Sequence, residues 1–319
     1  MISILLASYN GEKFIAEQIE SLLAQTFKDF KLYIYDDMST DSTVSILQSY
    51  EKKHPKQIYV TLNKENTGGA KHNFIRMMIE HKDDYVMLCD QDDVWLPNKI
   101  NKTLNEMKHI ETIYGSDTPI LVHSDLKIVD KSLHTLSNSF MKSMYANYKK
   151  SALRNIVIQN TLTGCTAMYN RALARLIQEE PQYMVMHDWW LILITSAFGK
   201  VSSILEPLIL YRQHDKNEIG ANKVLSVKHL YHKITHFKEM DIAIRQTCKQ
   251  ANSFLIMYND KLTQEQKKLL TDYASIPIIS VIDRLRVIFR HRTFKNGFLR
   301  KLAQIIVLIL MGTKGSMRS

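Results

Sequence analysis

Ile2 to Ala7 is an unbroken apolar run that stops at Ser8-Tyr9-Asn10-Gly11. A strand buried on both faces reads this way, whereas a half-exposed strand would alternate. Phe14, Ile15, Ile19, Leu22 and Leu23 then recur at helical spacing and predict an amphipathic helix. Leu32 to Tyr35 is a second strand running into Asp36-Asp37-Met38-Ser39-Thr40-Asp41. Ser39 or Asp41 would cap a helix that turns Val44, Leu47 and Tyr50 inward. Ile58 to Leu62 is a third strand, Asn66-Thr67-Gly68-Gly69 a loop, Ala70 to Glu80 a helix, and Tyr85 to Cys89 a fourth strand. Regular alternation of strand and helix predicts an α/β fold with a mostly parallel sheet flanked by helices.

The pattern continues with Ile120 to Val122, a turn at His123-Ser124-Asp125, and Leu126 to Val129. Thr163 to Tyr169 is β-like, Met186-His187-Asp188-Trp189-Trp190 opens an apolar helix to Phe198, and Val201 to Leu205 and Leu208 to Tyr211 are two short strands. Beyond Gly220 the texture becomes helical throughout. Val224 to Asn259, Leu262 to Ala274, Ile276 to Arg292 and Phe294 to Met311 carry the predicted helices. A catalytic region over residues 1–220 and a helical, basic-amphipathic region over 221–319 are therefore expected.

In an open α/β sheet, ligands gather at the carboxyl ends of the strands. Three strands here end in polar residues: Ser8-Tyr9-Asn10, Asp36-Asp37 and Asp90-Gln91-Asp92-Asp93. The last places three carboxylates within four residues, which repel one another unless a cation, hydrogen bonds or water intervene. Asp90-x-Asp92 suits a hard divalent ion that also touches a diphosphate. The other reading is a solvated acidic turn in which Asp93 caps the helix opened by Pro97. Neither the Gly-x-Gly-x-x-Gly dinucleotide turn nor a phosphate loop ending in Gly-Lys-Ser/Thr is present, which argues against a nicotinamide dehydrogenase or a P-loop kinase.

The net charge of +10 implies acidic partners: phosphates, nucleic acid or an anionic membrane. Cys89, Cys165 and Cys248 are scattered, without disulfide or zinc spacing, and fit a reducing compartment. The first eight residues read as a strand, not as a signal peptide. No apolar run is long enough to span a bilayer.

Taken in order, Ser8-Tyr9-Asn10-Gly11, Asp36-Asp37-x-Ser39-x-Asp41, Asn66-x-Gly68, Asp90-x-Asp92-Asp93-x-Trp95, His187-Asp188-Trp189 and Arg212-x-x-His214 resemble the family 2 glycosyltransferases of the GT-A fold. The resemblance covers the chain to about Gly220. Gln91-Asp92-Asp93-Val94-Trp95 and Tyr211-Arg212-Gln213-His214 are most similar to bacterial rhamnosyltransferases of cell-wall and capsular polysaccharide synthesis. By this resemblance Tyr9 stacks on the nucleotide base with Ala7 beside it, and Asp37 accepts a hydrogen bond from the pyrimidine ring. Asn66 belongs to the same nucleotide-binding set. Asp90 faces the ribose or sugar, Asp92 holds Mg²⁺ or Mn²⁺ against the diphosphate, and His214 is a further metal contact. Asp188 is the general base of an inverting displacement, and Trp95, Trp189 and Trp190 offer apolar faces to acceptor or sugar. The family commonly has Glu-Asp before the base, where this chain has His187-Asp188. An arginine common near the Asn66-Gly68 turn is also missing. Lys71 and His72 stand there, with Lys71 as the basic diphosphate contact.

The resemblance implies a dTDP- or UDP-sugar donor, with dTDP-β-L-rhamnose first and UDP-hexoses or UDP-N-acetylhexosamines as alternatives. A lipid-linked or growing surface glycan is the implied acceptor. Seven Lys/Arg between Arg284 and Lys301 stand against one acid, Asp283, along apolar stripes. Such helices suit an anionic membrane interface, with a homodimer contact or packing on the catalytic region as the other use. The expected place is therefore cytoplasmic, at the inner face of the membrane. His232 and His236, four apart among lysines, read as a solvated face more readily than as a metal pair. A sugar nucleotidyltransferase would want a glycine-rich basic loop after the first strand, and Ser8-Tyr9-Asn10-Gly11 is not one. Nucleic acid is not an expected partner, because no nucleic-acid module accompanies the charge.

Overall fold

The computed structural model describes residues 1–143, 148, 150–213 and 237–312. By its contacts the chain forms two compact units. The first holds residues 1–142, 162–180 and 198–221; the second holds 143–161, 181–197 and 222–319.

The first unit is built on a single sheet with strand order β3-β2-β1-β4-β8-β6-β9-β5, β7 pairing β6 at the side. β1 (Ile2–Ser8), β2 (Phe30–Asp36), β3 (Ile58–Leu62) and β4 (Tyr85–Cys89) all run parallel. α1 (Ile15–Leu23), α2 (Thr43–Lys53) and α3 (Ala70–Glu80) connect them. This is the βαβ alternation that the apolar runs predict. β1 is central, and its apolar residues Ile2, Ile4, Leu5 and Leu6 are all buried. Ile2, Ile4 and Leu6 join Ile15, Ile19, Leu22, Leu32, Ile34 and Met87 in one core.

Beyond β4 the sheet becomes mixed. β5 (Val94–Trp95), α4 (Lys99–Tyr114), β6 (Ile120–Val129), β7 (Thr135–Ser137), β8 (Ala167–Asn170) and β9 (Lys200–Arg212) complete it. β8 is antiparallel to β4 and β6, β5 is antiparallel to β9, and β6 is parallel to β9. Two expectations are corrected here. His123-Ser124-Asp125 is not a strand-end turn but lies inside β6, where His123 pairs with Ser203 through Nε2 and Oγ at 2.8 Å. The two short strands expected after Gly199 are one strand, β9, whose register slips where Pro207 faces Asp125. A proline has no N–H to give the ladder, so the slip falls where the bond would be missing. Gly199 is required at the entry to β9, since a Cβ there would strike the Pro119 carbonyl oxygen.

The second unit is helical. α5 (His187–Phe198) belongs to it as far as Ala197, and α6 (Phe237–Tyr258), α7 (Gln264–Ala274), α8 (Val281–His291) and α9 (Phe298–Leu310) follow. α7 begins with a full capping box between Thr263 and Gln266. Arg284, expected on the basic rim of α8, is instead fully buried. Its guanidinium donates to the Ile276 carbonyl at 2.9 Å and to the carbonyls of Leu308 and Met311, which close the C-terminal end of α9. None of the described helices is long and apolar enough to cross a membrane.

Candidate active site

The carboxyl ends of β1, β2 and β4 meet because their registers leave them level. Ser8 stands beside Asp36, and Leu6 beside Cys89. The polar segments that follow are then tied to one another. The Asp37 N–H donates to the Ser8 carbonyl at 2.8 Å. Asn10 and Met38 turn the chain through left-handed backbone, at φ 47 and φ 65. A methionine there is strained, and it leaves its side chain 48% exposed at the sheet end. The Asn10 side chain accepts from the Thr40 N–H at 2.8 Å, joining the two turns.

Gln91, in the middle of the acidic loop, clamps Tyr9 from both sides. Its Oε1 accepts the Tyr9 N–H at 2.9 Å, and its Nε2 donates to the Tyr9 carbonyl at 3.0 Å. A Cβ at residue 11 would overlap that amide, which is why Gly11 stands there. Tyr9 is 50% exposed, so its ring is open to stacking. Ala7 lies partly covered one turn of the pleat earlier, beside Tyr35.

Asp37 is buried, and its carboxylate is well supplied. Oδ1 accepts from Asn63 Nδ2 at 3.1 Å and from the Thr67 N–H at 2.8 Å, and Oδ2 accepts from Thr67 Oγ1 at 2.9 Å. A carboxylate can accept about four hydrogen bonds, so these three leave one direction at Oδ2. Asn66 fixes the same turn from outside: Nδ2 donates to the Asp37 carbonyl at 3.2 Å and Oδ1 accepts the Gly68 N–H at 2.9 Å. Lys71 lies in the first turn of α3, next to His72, which pairs with Glu180.

The acidic loop divides its carboxylates by burial. Asp90 and Asp92 are partly exposed, whereas Asp93 is fully buried. Burial, and then the neighbouring charges of Asp92 and Asp90, push the Asp93 carboxyl well above the usual carboxylate range. Asp93 Oδ1 accepts the Arg212 N–H at 3.1 Å, and the Cys165 thiol stands beside the same carboxylate. Ligand atoms of Asp90, Asp93 and Cys165 lie within 4.8 Å of one another. Burial raises the Cys165 thiol well above its ordinary value, and its sulfur is a soft donor. The carboxylate oxygens fit a hard ion better, and Asp90 and Asp92 are the two that solvent reaches.

Three residues outside the sequence-derived set carry this site. Arg212 braces the acidic loop: Nε donates to the Asp92 carbonyl at 2.9 Å, one terminal nitrogen donates to the Lys131 carbonyl at 2.6 Å, and the other pairs with Glu17. Its guanidinium also lies 4.6 Å from the Phe14 ring centroid. Asn63 and Thr67 orient Asp37. The signal for Arg212 was its place in the Arg212-x-x-His214 motif; Asn63 gave none. Below the loop, Lys99 is fully buried with Nζ 3.4 Å from the Trp95 ring, and burial pushes its ammonium down to about 7.

Asp188, Trp189 and Trp190 fall in the second unit. Asp188 opens α5, and its Oδ1 accepts from Asn160 Nδ2 at 3.1 Å and from the Trp189 N–H at 2.6 Å. Trp189 donates from Nε1 to the Ile156 carbonyl at 2.7 Å and, with Asn160, lines a cavity of about 250 Å³. Two tryptophans expected to meet a sugar do not present a face. Trp190 is fully buried against Phe254 and Tyr258, at 5.3 and 6.2 Å between centroids. Trp95 is 2% exposed and holds β5 in the core. Both sit at positions where the apolar pattern demands a large side chain inside, and core packing takes them. His187 is buried, which holds its imidazole down to about 3. His214, expected as a metal contact, and His232 and His236 lie outside the described residues.

The parallel half of the sheet thus brings acids, an exposed aromatic and a fixed asparagine turn to the carboxyl ends of its strands, where open α/β sheets bind their ligands. The model of glycosyl transferase family 2 matches residues 3–177, more than half of the chain, and the chain belongs to that family. It is 26% identical over 241 residues to the dTDP-rhamnosyl transferase RfbG of Shigella flexneri, covering 70% of this chain and 76% of that protein. S. aureus TarS 1-349 in complex with UDP-GlcNAc has a similar fold, with a TM-score of 0.55 at 16% identity over 97% of this chain and 90% of that one. A longer TarS chain is spanned to 43% of its length, with a TM-score of 0.53. The mannosyltransferase PcManGT of Pyrobaculum calidifontis, in complex with GDP-Man and Mn²⁺, gives a TM-score of 0.50 at 13% identity, over 97% and 86%.

Proposed function

We propose that this chain is an inverting, metal-dependent glycosyltransferase that moves L-rhamnose from dTDP-β-L-rhamnose onto a lipid-linked or growing surface polysaccharide. The observation that carries the reading is the gathering of Tyr9, Asp37, Asn66, Asp90 and Asp92 at the ends of adjacent parallel strands in a family 2 chain. Tyr9 stacks on the base. Asp37, with one acceptor direction left at Oδ2, takes the ring N–H of a pyrimidine. Lys71 meets the diphosphate. Asp90 and Asp92 would hold Mg²⁺ or Mn²⁺, which when bound neutralises charge on the departing diphosphate.

The acceptor hydroxyl has an intrinsic pKa far above neutrality and needs a base as it attacks. Asp188 is that base: Asn160 and the Trp189 N–H fix its Oδ1, which orients the carboxylate. The attack forms the new C–O bond at the anomeric carbon as the bond to the diphosphate breaks, the proton passes to Asp188, and the anomeric configuration inverts. Trp189 is the tryptophan with room for a sugar beside it.

The choice of rhamnose is supported by the likeness to RfbG. The same chemistry with a UDP-hexose or UDP-N-acetylhexosamine is the second reading, favoured by the fold shared with a UDP-GlcNAc complex. The enzyme works at the inner face of the cell membrane, attached through its basic helices. Purified protein is incubated with Mn²⁺, a lipid-linked acceptor and a panel of donors, and released nucleotide is followed by mass spectrometry. Release of dTDP with transfer of rhamnose is expected. Transfer from a UDP-sugar alone would overturn the donor, and transfer from no nucleotide sugar would overturn the function.

A further inference from the structure

A cavity of about 490 Å³ opens on the second unit where α9 begins. Its described lining includes five cations, Lys150, Arg154, Arg292, Lys295 and Lys301, and no carboxylate. This volume is that of a small-molecule site. Like charges facing one space raise each other's energy, and an anion between them reverses the sign. Arg292 ends α8 in left-handed backbone, at φ 55, where glycine or asparagine is usual. An arginine kept there despite the strain points to a use for its side chain. Gly297 starts α9 without a side-chain cap, so the positive end of that helix adds to the same field.

An apolar strip leads away from the cavity along α9. Phe298 lines the cavity and is 80% exposed. Leu302, Ile306, Ile309 and Leu310 follow at helical spacing and are also exposed, whereas Ala303, Val307 and Leu308 form the covered face of α9. A helix apolar on its open face as well as its covered one suits a hydrocarbon boundary better than water.

We propose that this cavity binds the phosphate or diphosphate head of a membrane lipid, with the hydrocarbon chain lying along the exposed face of α9. The proposal rests on the membrane-surface reading above and gives that surface a specific ligand. Lys295 also lines the Trp189 cavity, so a glycan carried on such a head would begin at the edge of that space.

The test is sedimentation of the full chain with two kinds of phosphatidylcholine vesicle, one containing phosphatidate and the other phosphatidylserine, matched in net charge. Tighter binding to phosphatidate is expected. Each cation removed should weaken it about five-fold, so Arg154→Gln with Lys301→Gln costs on the order of 25-fold and abolishes the preference. The exchange Arg154→Lys with Lys301→Arg keeps the charge and should keep the preference, which separates loss of the site from loss of the fold. Lys261→Gln with Lys268→Gln should leave the preference intact. Equal binding to both vesicles, or a preference untouched by the first pair, overturns the phosphate site while leaving the membrane surface standing. Binding to neither vesicle overturns both, whether the chain then dimerises through α9 or binds inorganic pyrophosphate in solution. Neither result bears on sugar transfer, which the donor panel reads separately.

Discussion

Replacing Arg212 with methionine isolates the brace beneath the acidic loop. Methionine keeps most of the apolar stem and removes the guanidinium, whose side chain is 3% exposed. Two carbonyls, of Asp92 and Lys131, lose charge-assisted bonds of 2.9 and 2.6 Å. Bonds of this kind contribute about 1.5–3 kcal/mol each. The Glu17 partner is 48% exposed, so that pair adds no more than about 1 kcal/mol. The guanidinium's own desolvation offsets part of the sum, which leaves a net loss of about 3–5 kcal/mol. A domain of ordinary stability survives this loss in weakened form. Urea unfolding followed by fluorescence should show the loss. Calorimetric titration with nucleotide and Mn²⁺ should show affinity down roughly tenfold, about 1.4 kcal/mol, because the Asp92 backbone is no longer held. Arg212→Lys should fall between the two, since one ammonium cannot serve three separated acceptors. A loss under about 1 kcal/mol together with unchanged nucleotide affinity would refute the brace.

The carboxylates should separate by role. Asp188→Asn should keep nucleotide affinity and lower transfer by about 10²–10⁴, while Asp92→Asn should weaken Mn²⁺-dependent nucleotide binding; equal loss of binding in both would contradict the assignment. Asp37→Asn turns an amide NH₂ toward the Asn63 and Thr67 donors, so about 1–3 kcal/mol of stability should go, measured by urea unfolding, together with pyrimidine binding. His123 and His187 are held neutral by burial, at about 4 and about 3, below an unfolded value of about 6.5. Below that value the unfolded chain takes up protons that the folded chain refuses. Stability should therefore fall as pH drops from about 6.5 to about 4, by about 1.4 kcal/mol per pH unit for each histidine. His123→Asn combined with His187→Asn should flatten that slope, and an unaltered slope in urea titrations across the window would show that other groups set it.

The first four strands and three helices were legible in the sequence because each obeys a local rule. β1 and β4 are continuous apolar runs, and α1 repeats its apolar residues on one face. The acids at the strand ends were legible too, since a parallel sheet sends every strand's carboxyl end the same way. Apolarity alone could not say which tryptophans stay in the core. Trp95, Trp189 and Trp190 look alike in sequence, yet Trp95 and Trp190 are buried in the core while Trp189 lines a cavity.

What the sequence determined by itself was the order of elements and the chemical kinds of group at their ends, because both follow from residue type and spacing. What tertiary structure decided was which of those groups are buried, braced or open. Asp93 differs from Asp92 only in being enclosed, and that enclosure, with its neighbours' charges, raises its carboxyl. Arg212 reaches the loop from a position 120 residues away, and Arg284 turned from rim to core because three carbonyls at 276, 308 and 311 needed a donor. Hydrogen bonds between distant segments depend on where the chain returns in space, and no local pattern encodes that return.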